Sequence, residues 1–143
     1  MDNITHRIAE SILANDFSAY QRERYPAIQE GELVRFTDED FSGVDFDQFV
    51  MGFFVFQNCN LDDAKHIYGQ PIYFINSSVR NVDFCGAKLI IEAKDCDFRG
   101  MKYDKETQFV YGSGKLAARS RFINCKLDDE TRDFLSQQGV EIN

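Results

Sequence analysis

The chain has no tryptophan, two prolines and two histidines among its 143 residues. It has no run of about twenty apolar residues, so no membrane-spanning helix is expected. Its opening Met1-Asp2-Asn3-Ile4 has neither the basic nor the apolar part of a secretory signal, so a cytoplasmic protein is expected. The four cysteines show no Cys-x₂-Cys spacing, which argues against zinc. In a reducing compartment Cys59, Cys96 and Cys125 read as buried free thiols and Cys85 as outward-facing. His6 and His66 lie far apart, and no nucleophile motif is present. Gly112-Ser113-Gly114-Lys115 falls short of a phosphate loop, because Phe109 stands where the first glycine is needed. No catalytic residue, cofactor or metal is expected, and the chain does not read as an enzyme. Between Phe36 and Ala64 there is no lysine or arginine at all.

What the chain has is phenylalanine in rhythm. It carries 14 Phe and 6 Tyr, and a hydrophobic content of 43% argues against disorder. Phe36, Phe41, Phe46, Met51, Phe56 and Leu61 recur every fifth residue. A helix repeats at 3.6 and a strand at 2, so this beat belongs to neither. It suits a chain that turns a corner every five residues and points one bulky side chain inward per side. The beat returns at Phe74, Val79, Phe84 and Leu89, then at Phe98 and Tyr103, and again at Phe122 and Leu127. Small or medium residues such as Val44, Cys59, Ser77, Val82, Cys96 and Cys125 stand two places before the bulky ones. Glu39 in such a slot is a costly exception, and Phe49 and Phe54 are oversized for theirs.

Val44-Asp45-Phe46, Cys59-Asn60-Leu61, Val82-Asp83-Phe84, Ala87-Lys88-Leu89 and Cys96-Asp97-Phe98 are successive units of one pattern. The pattern resembles the pentapeptide-repeat family over about 36–103 and again over 120–129. The resemblance implies a mainly β fold, a right-handed quadrilateral β-helix of about twenty residues per coil. Phe36 would then stack under Phe56 and Phe41 under Leu61. The rival arrangement is a small β-sandwich. The expected organisation is one domain, with a helical N-terminal cap over 1–30, the β-helix over 31–129 and a C-terminal cap over 130–143. Ile4, Ile8, Ile12 and Leu13 share a helical face, with Asp2 or Asn3 as N-cap. Phe17 and Tyr20 extend that helix until Pro26 ends it. A C-terminal helix begins at Asp128 or Asp129, runs to about Gln138 and stops at Gly139. It would cap the last coil or form a homodimer contact; otherwise the chain is monomeric. Residues 64–73 and 104–121 break the beat and read as loops. The second is locally basic, with Lys115, Arg119 and Arg121.

The net charge is −8. Asp38, Asp40, Asp45, Asp47, Asp62 and Asp63 lie beside inward positions, as do Asp83 and Asp97 further on. All eight are expected on one exposed acidic face, a ladder of carboxylates on a rigid frame. Duplex DNA carries about one negative charge per 1.7 Å of axis, so such a wall could compete for a protein's grip on DNA. It would not itself bind nucleic acid. Members of the resembled family that act on DNA gyrase are understood as DNA mimics. The same idea extends to acidic phage anti-CRISPR proteins. The resemblance therefore implies an inhibitor of a bacterial DNA-binding complex, first a CRISPR surveillance complex at its DNA (PAM) recognition step. The alternatives are a gyrase- or topoisomerase-binding protein and a general protein-interaction scaffold.

Overall fold

The computed structural model describes residues 3–29, 31, 33–49, 52–112 and 114–143. Helices α1 (Asn3–Leu13) and α2 (Phe17–Gln29) open the chain. Ile8, Ala9 and Ile12 are buried and Ile4 packs on the core, but Leu13, assigned to the same face, is 49% exposed. The single helix expected here is two. Asn15 takes φ 54°, its N–H donates to the Ile12 carbonyl, and the Asp16 N–H donates to the Ser11 carbonyl. That pair of bonds closes a helix on a left-handed residue. The Asp16 carboxylate then accepts the Ala19 N–H at 3.1 Å and caps α2. Asn3 is already the first residue of α1, and Asp2 lies outside the described residues. Pro26 does not end the helix. It sits exposed inside α2, where the Arg22 carbonyl that loses its partner can face water.

Six strands follow in one sheet, in the order β1 (Val34–Thr37), β2 (Phe54–Gln57), β3 (Gly69–Ile75), β4 (Leu89–Lys94), β7 (Arg121–Ile123) and β8 (Glu141–Ile142). All five pairings are parallel, and their register lines up Phe36, Phe56, Phe74, Ala93, Phe122 and Ile142. The short strands β5 (Val110–Tyr111) and β6 (Ala118–Arg119) form a separate antiparallel pair.

This architecture corrects the mainly β, closed quadrilateral β-helix of a pentapeptide-repeat solenoid. The fold is mixed α/β. Three helices of 11, 13 and 10 residues hold more of the chain than eight strands of two to seven. Away from the sheets, the described residues pair only through isolated parallel bridges. One series runs Asp40, Asn60, Ser78, Asp97, Lys126; another runs Asp45, Lys65, Asp83, Lys102. The reason is conformational. Gly43, Asp63, Asn81 and Gly100 take φ of 70°, 62°, 57° and 77°, and a left-handed residue so soon after each bridge ends extended backbone. The last connection is also a helix. α3 (Asp129–Gln138) links β7 to β8, as parallel neighbours need a crossover.

The core keeps the beat. Phe41, Phe46, Phe56, Leu61, Phe84, Leu89 and Phe98 are fully buried, while Met51 lies outside the described residues. The Phe56 ring stacks between Phe36 (5.2 Å, 28°) and Phe74 (5.3 Å, 13°). Where the column narrows to Ala93, Phe98 fills the space, edge-on to both Phe74 and Phe122. Phe49 and Phe54 are not misfits: Tyr20 from α2 meets them edge-on at 4.8 and 6.5 Å and closes that end of the core. At the other end Tyr103 stacks on Phe134 of α3 at 4.1 Å. Gln138 donates to the Thr107 carbonyl and accepts the Phe109 N–H, pinning α3 to the backbone of two buried residues. Gly139 terminates α3 at φ 89°.

Of residues 64–73, expected as a loop, 69–73 belong to β3 instead. Pro71 lies within β3, beside a register shift between Gly69 and Ile72 where the ladder needs no proline N–H. Among the described residues no helix is long and apolar enough to cross a membrane.

Candidate functional site

Corrections to the charge pattern follow from the parallel register. The bridge series place Asp40 beside Asn60 and Asp45 beside Lys65, so strands of acid do not stack on acid. Asp83 lies between Lys65 and Lys102, and Asp97 between Ser78 and Lys126. Asp62, half-buried, accepts the Ser78 hydroxyl at 2.6 Å, the Arg80 N–H at 2.9 Å and the Arg80 guanidinium at 3.3 Å. Asp97 binds the Arg99 guanidinium at 2.7 Å, which holds its carboxyl below the usual range. The single ladder of eight carboxylates is therefore not present. Asp62 and Asp97 are held by Arg80 and Arg99, Asp45 meets His66 beside Lys65, and Asp83 lies between two lysines.

The exposed members gather at the β1 end. Asp38, Asp40, Asp45 and Asp47 are all exposed, as is Asp63 one pass along. Their positions are fixed by backbone. Asp38 and Asp63 occupy left-handed corners, at φ 59° and 62°, a conformation Asp tolerates better than most residues. The Asp40 carboxylate accepts the Ser42 N–H at 3.0 Å, and this bond keeps its carboxyl below the usual range. The Asp45 carboxylate accepts the Asp47 N–H at 3.0 Å and meets His66 Nδ1 at 2.8 Å. The His66 contact is the main cause of a lowered Asp45 pKa, and Asp45 in turn raises that of His66. Glu39, expected to be costly at an inward slot, is only half-buried, because β1 is the sheet's edge and no pass lies beyond it.

The 104–121 segment is less basic in effect than in sequence. Arg121 pairs with Glu92 at 3.2 Å and Glu141 at 2.7 Å, and Arg119 donates to the Gly139 carbonyl. The tip presents Lys115 and a 97% exposed Leu116.

The thiols follow the small-slot reading with one correction. Cys59 and Cys96 are buried and Cys85 is exposed, but Cys125 is only half-buried, since α3 leaves the stack just after it. Contact with Cys125 and burial push the Cys96 thiol up. Among the described residues no cluster of His, Cys, Asp or Glu could hold a metal ion.

One ladder escaped sequence reading. Asp38, Asn58, Asn76, Asp95 and Asn124 each follow a strand of the sheet and each take positive φ, between 46° and 59°. Asn76 donates to Asn58 and Asn124 to Asp95, both at 2.7 Å. Its signal was the recurrence of Asn or Asp two places after the inward residue at Phe36, Phe56, Phe74, Ala93 and Phe122. No known family model matches the chain, and no curated protein matches it.

Proposed function

We propose that the protein is a non-catalytic inhibitor that occupies the basic DNA-gripping channel of a bacterial DNA-binding complex. The observation that carries this reading is the cluster of exposed Asp38, Asp40, Asp45 and Asp47, in a stretch from Phe36 to Ala64 without a lysine or arginine. Two of the carboxylates are pinned by neighbouring N–H groups, so docking would cost little further order. Fixed carboxylates can meet an arginine fork as a phosphate does. The target we name is a CRISPR surveillance complex at its PAM-recognition step, within the cytoplasm. DNA gyrase is the second target, and a general scaffold is what remains if both fail.

The test is competition. Binding of PAM-bearing duplex to a surveillance complex, and supercoiling by gyrase, are measured with and without the protein at rising salt. Inhibition should weaken with ionic strength. Replacing Asp38, Asp40, Asp45 and Asp47 together by Asn keeps the corner and turn geometry and removes four charges. Inhibition should then fall roughly 10–100-fold, mainly through slower association. Replacing Asp83 and Asp97 by Asn should change it little. Equal inhibition by the quadruple variant refutes mimicry by this cluster.

A further inference from the structure

The outer face of the six-stranded sheet has no role in the reading above. It holds a groove of about 260 Å³, lined by Leu33, Val55, Tyr73, Ile75 and Ile123 among others. Leu33 is 50% exposed, Tyr73, Ile75 and Ile123 are half-buried, and Val55 forms the floor. The sheet's other face is filled by the phenylalanine column, and neither the N-terminal helices nor α3 contributes to the groove's lining. The charges beside the groove are ordered. Along one outward column, neighbouring strands present Arg35, Val55, Tyr73, Glu92 and Arg121; Arg121 meets one Glu92 oxygen at 3.2 Å, and Glu92 stays about half exposed. Arg35 bonds the Gln57 amide oxygen at 2.6 Å and has no carboxylate partner among the described residues.

We propose that this face is a self-association surface that takes a second copy of this chain. A two-fold axis parallel to the strands, midway between β2 and β3, returns the first four members of the column to themselves in reverse. Arg35 of each copy then faces Glu92 of its partner, and Val55 faces Tyr73. Both ends of the contact are charge-complementary and its centre is apolar, as an isologous interface requires. Two sheets packed in this way lie about 10 Å apart. Four strands span only about 19 Å across, which is below the extent of a standard interface. The dimer is accordingly weak and concentration-dependent. The C-terminal segment, the other contact considered from sequence, uses β8 to extend the sheet within its own chain.

Sedimentation velocity from about 1 to 500 μM tests this, a range chosen because small interfaces bind weakly. The mean mass should rise from 16.5 kDa toward twice that value. Tyr73→Glu should weaken association at least about thirty-fold, as loss of a central aromatic does. Arg35→Glu alone and Glu92→Arg alone should each be monomeric, because each sets like charges opposite one another. Mixed in equal amounts they should dimerise again, since each then meets its complement. Circular dichroism confirms that the variants are folded. A wild-type chain that stays monomeric across the range overturns the proposal and leaves the groove to a different partner. So does a dimer indifferent to Tyr73→Glu, or a mixture that fails to associate. None of these outcomes depends on inhibition of a DNA-binding complex.

Discussion

Phe56→Ala removes the middle ring of the column that joins β1, β2 and β3. Phe56 is fully buried, with Phe36 and Phe74 stacked at 5.2 and 5.3 Å and Phe41 edge-on at 5.7 Å. Transfer of the lost side chain to water-free surroundings is worth about 1.5–3 kcal/mol. A residual cavity of about 80–100 Å³ adds roughly 2 kcal/mol at 24 cal/mol per Å³. The two stacked contacts cannot be recovered by collapse, because Phe36 and Phe74 are held by the parallel register on either side. The expected loss is therefore about 4–5 kcal/mol, at the upper end for Phe→Ala. A chain of this size should melt roughly 10–18 °C lower. Guanidinium unfolding followed by far-ultraviolet circular dichroism reads the same loss as a midpoint shift at constant slope. Leu116→Ala, at a 97% exposed position, should stay within about 0.5 kcal/mol of the parent. A Phe56→Ala loss below about 2 kcal/mol would show that the column is not packed as a unit, and the reasoning would fail.

The corner ladder makes a second prediction. Asn76→Ala places a Cβ without a polar group at φ 46° and breaks the bond to Asn58, so about 1–2 kcal/mol should be lost; Asn76→Gly should recover part of it in the same unfolding assay. The His66–Asp45 pair makes a third. His66 gains its partner by protonation, so its contribution is whole below the ordinary histidine value and fades as pH rises through the raised one; Asp45, lowered, contributes above the ordinary carboxyl value and fades as pH falls. Titration of the His66 ring by NMR should give a pKa above 6.5 that returns toward 6.5 in Asp45→Asn, and an unchanged value would remove the pair.

The five-residue beat was legible because burial imposes it: one inward side chain per side leaves a mark whatever the backbone does between sides. That is why Phe41, Leu61, Phe84 and Phe98 are where the spacing put them. The same beat did not disclose how the sides are built. Gly43, Asp63, Asn81 and Gly100 sit one place before the next inward slot, and only their φ values show that the chain is turning rather than extending there. Regular pairing survives where no left-handed residue intervenes, on the side that became the sheet. The ends were legible in part. Gly139 and the acids of the first turn of α3 marked that helix, but Asn15 was read through because its cap depends on bonds to Ile12 and Ser11. Charge was the least legible feature. A count along the chain makes Asp45, Asp83 and Asp97 equal to Asp38 and Asp40. Register separates them, because it brings lysines 65, 102 and 126 onto the same bridges. An acidic stretch becomes an acidic surface only where no basic neighbour arrives from the next pass. Asp38 and Asp40 meet that condition, since no further strand of the sheet lies beyond β1 and the pass above brings Asn58 and Asn60 to their level.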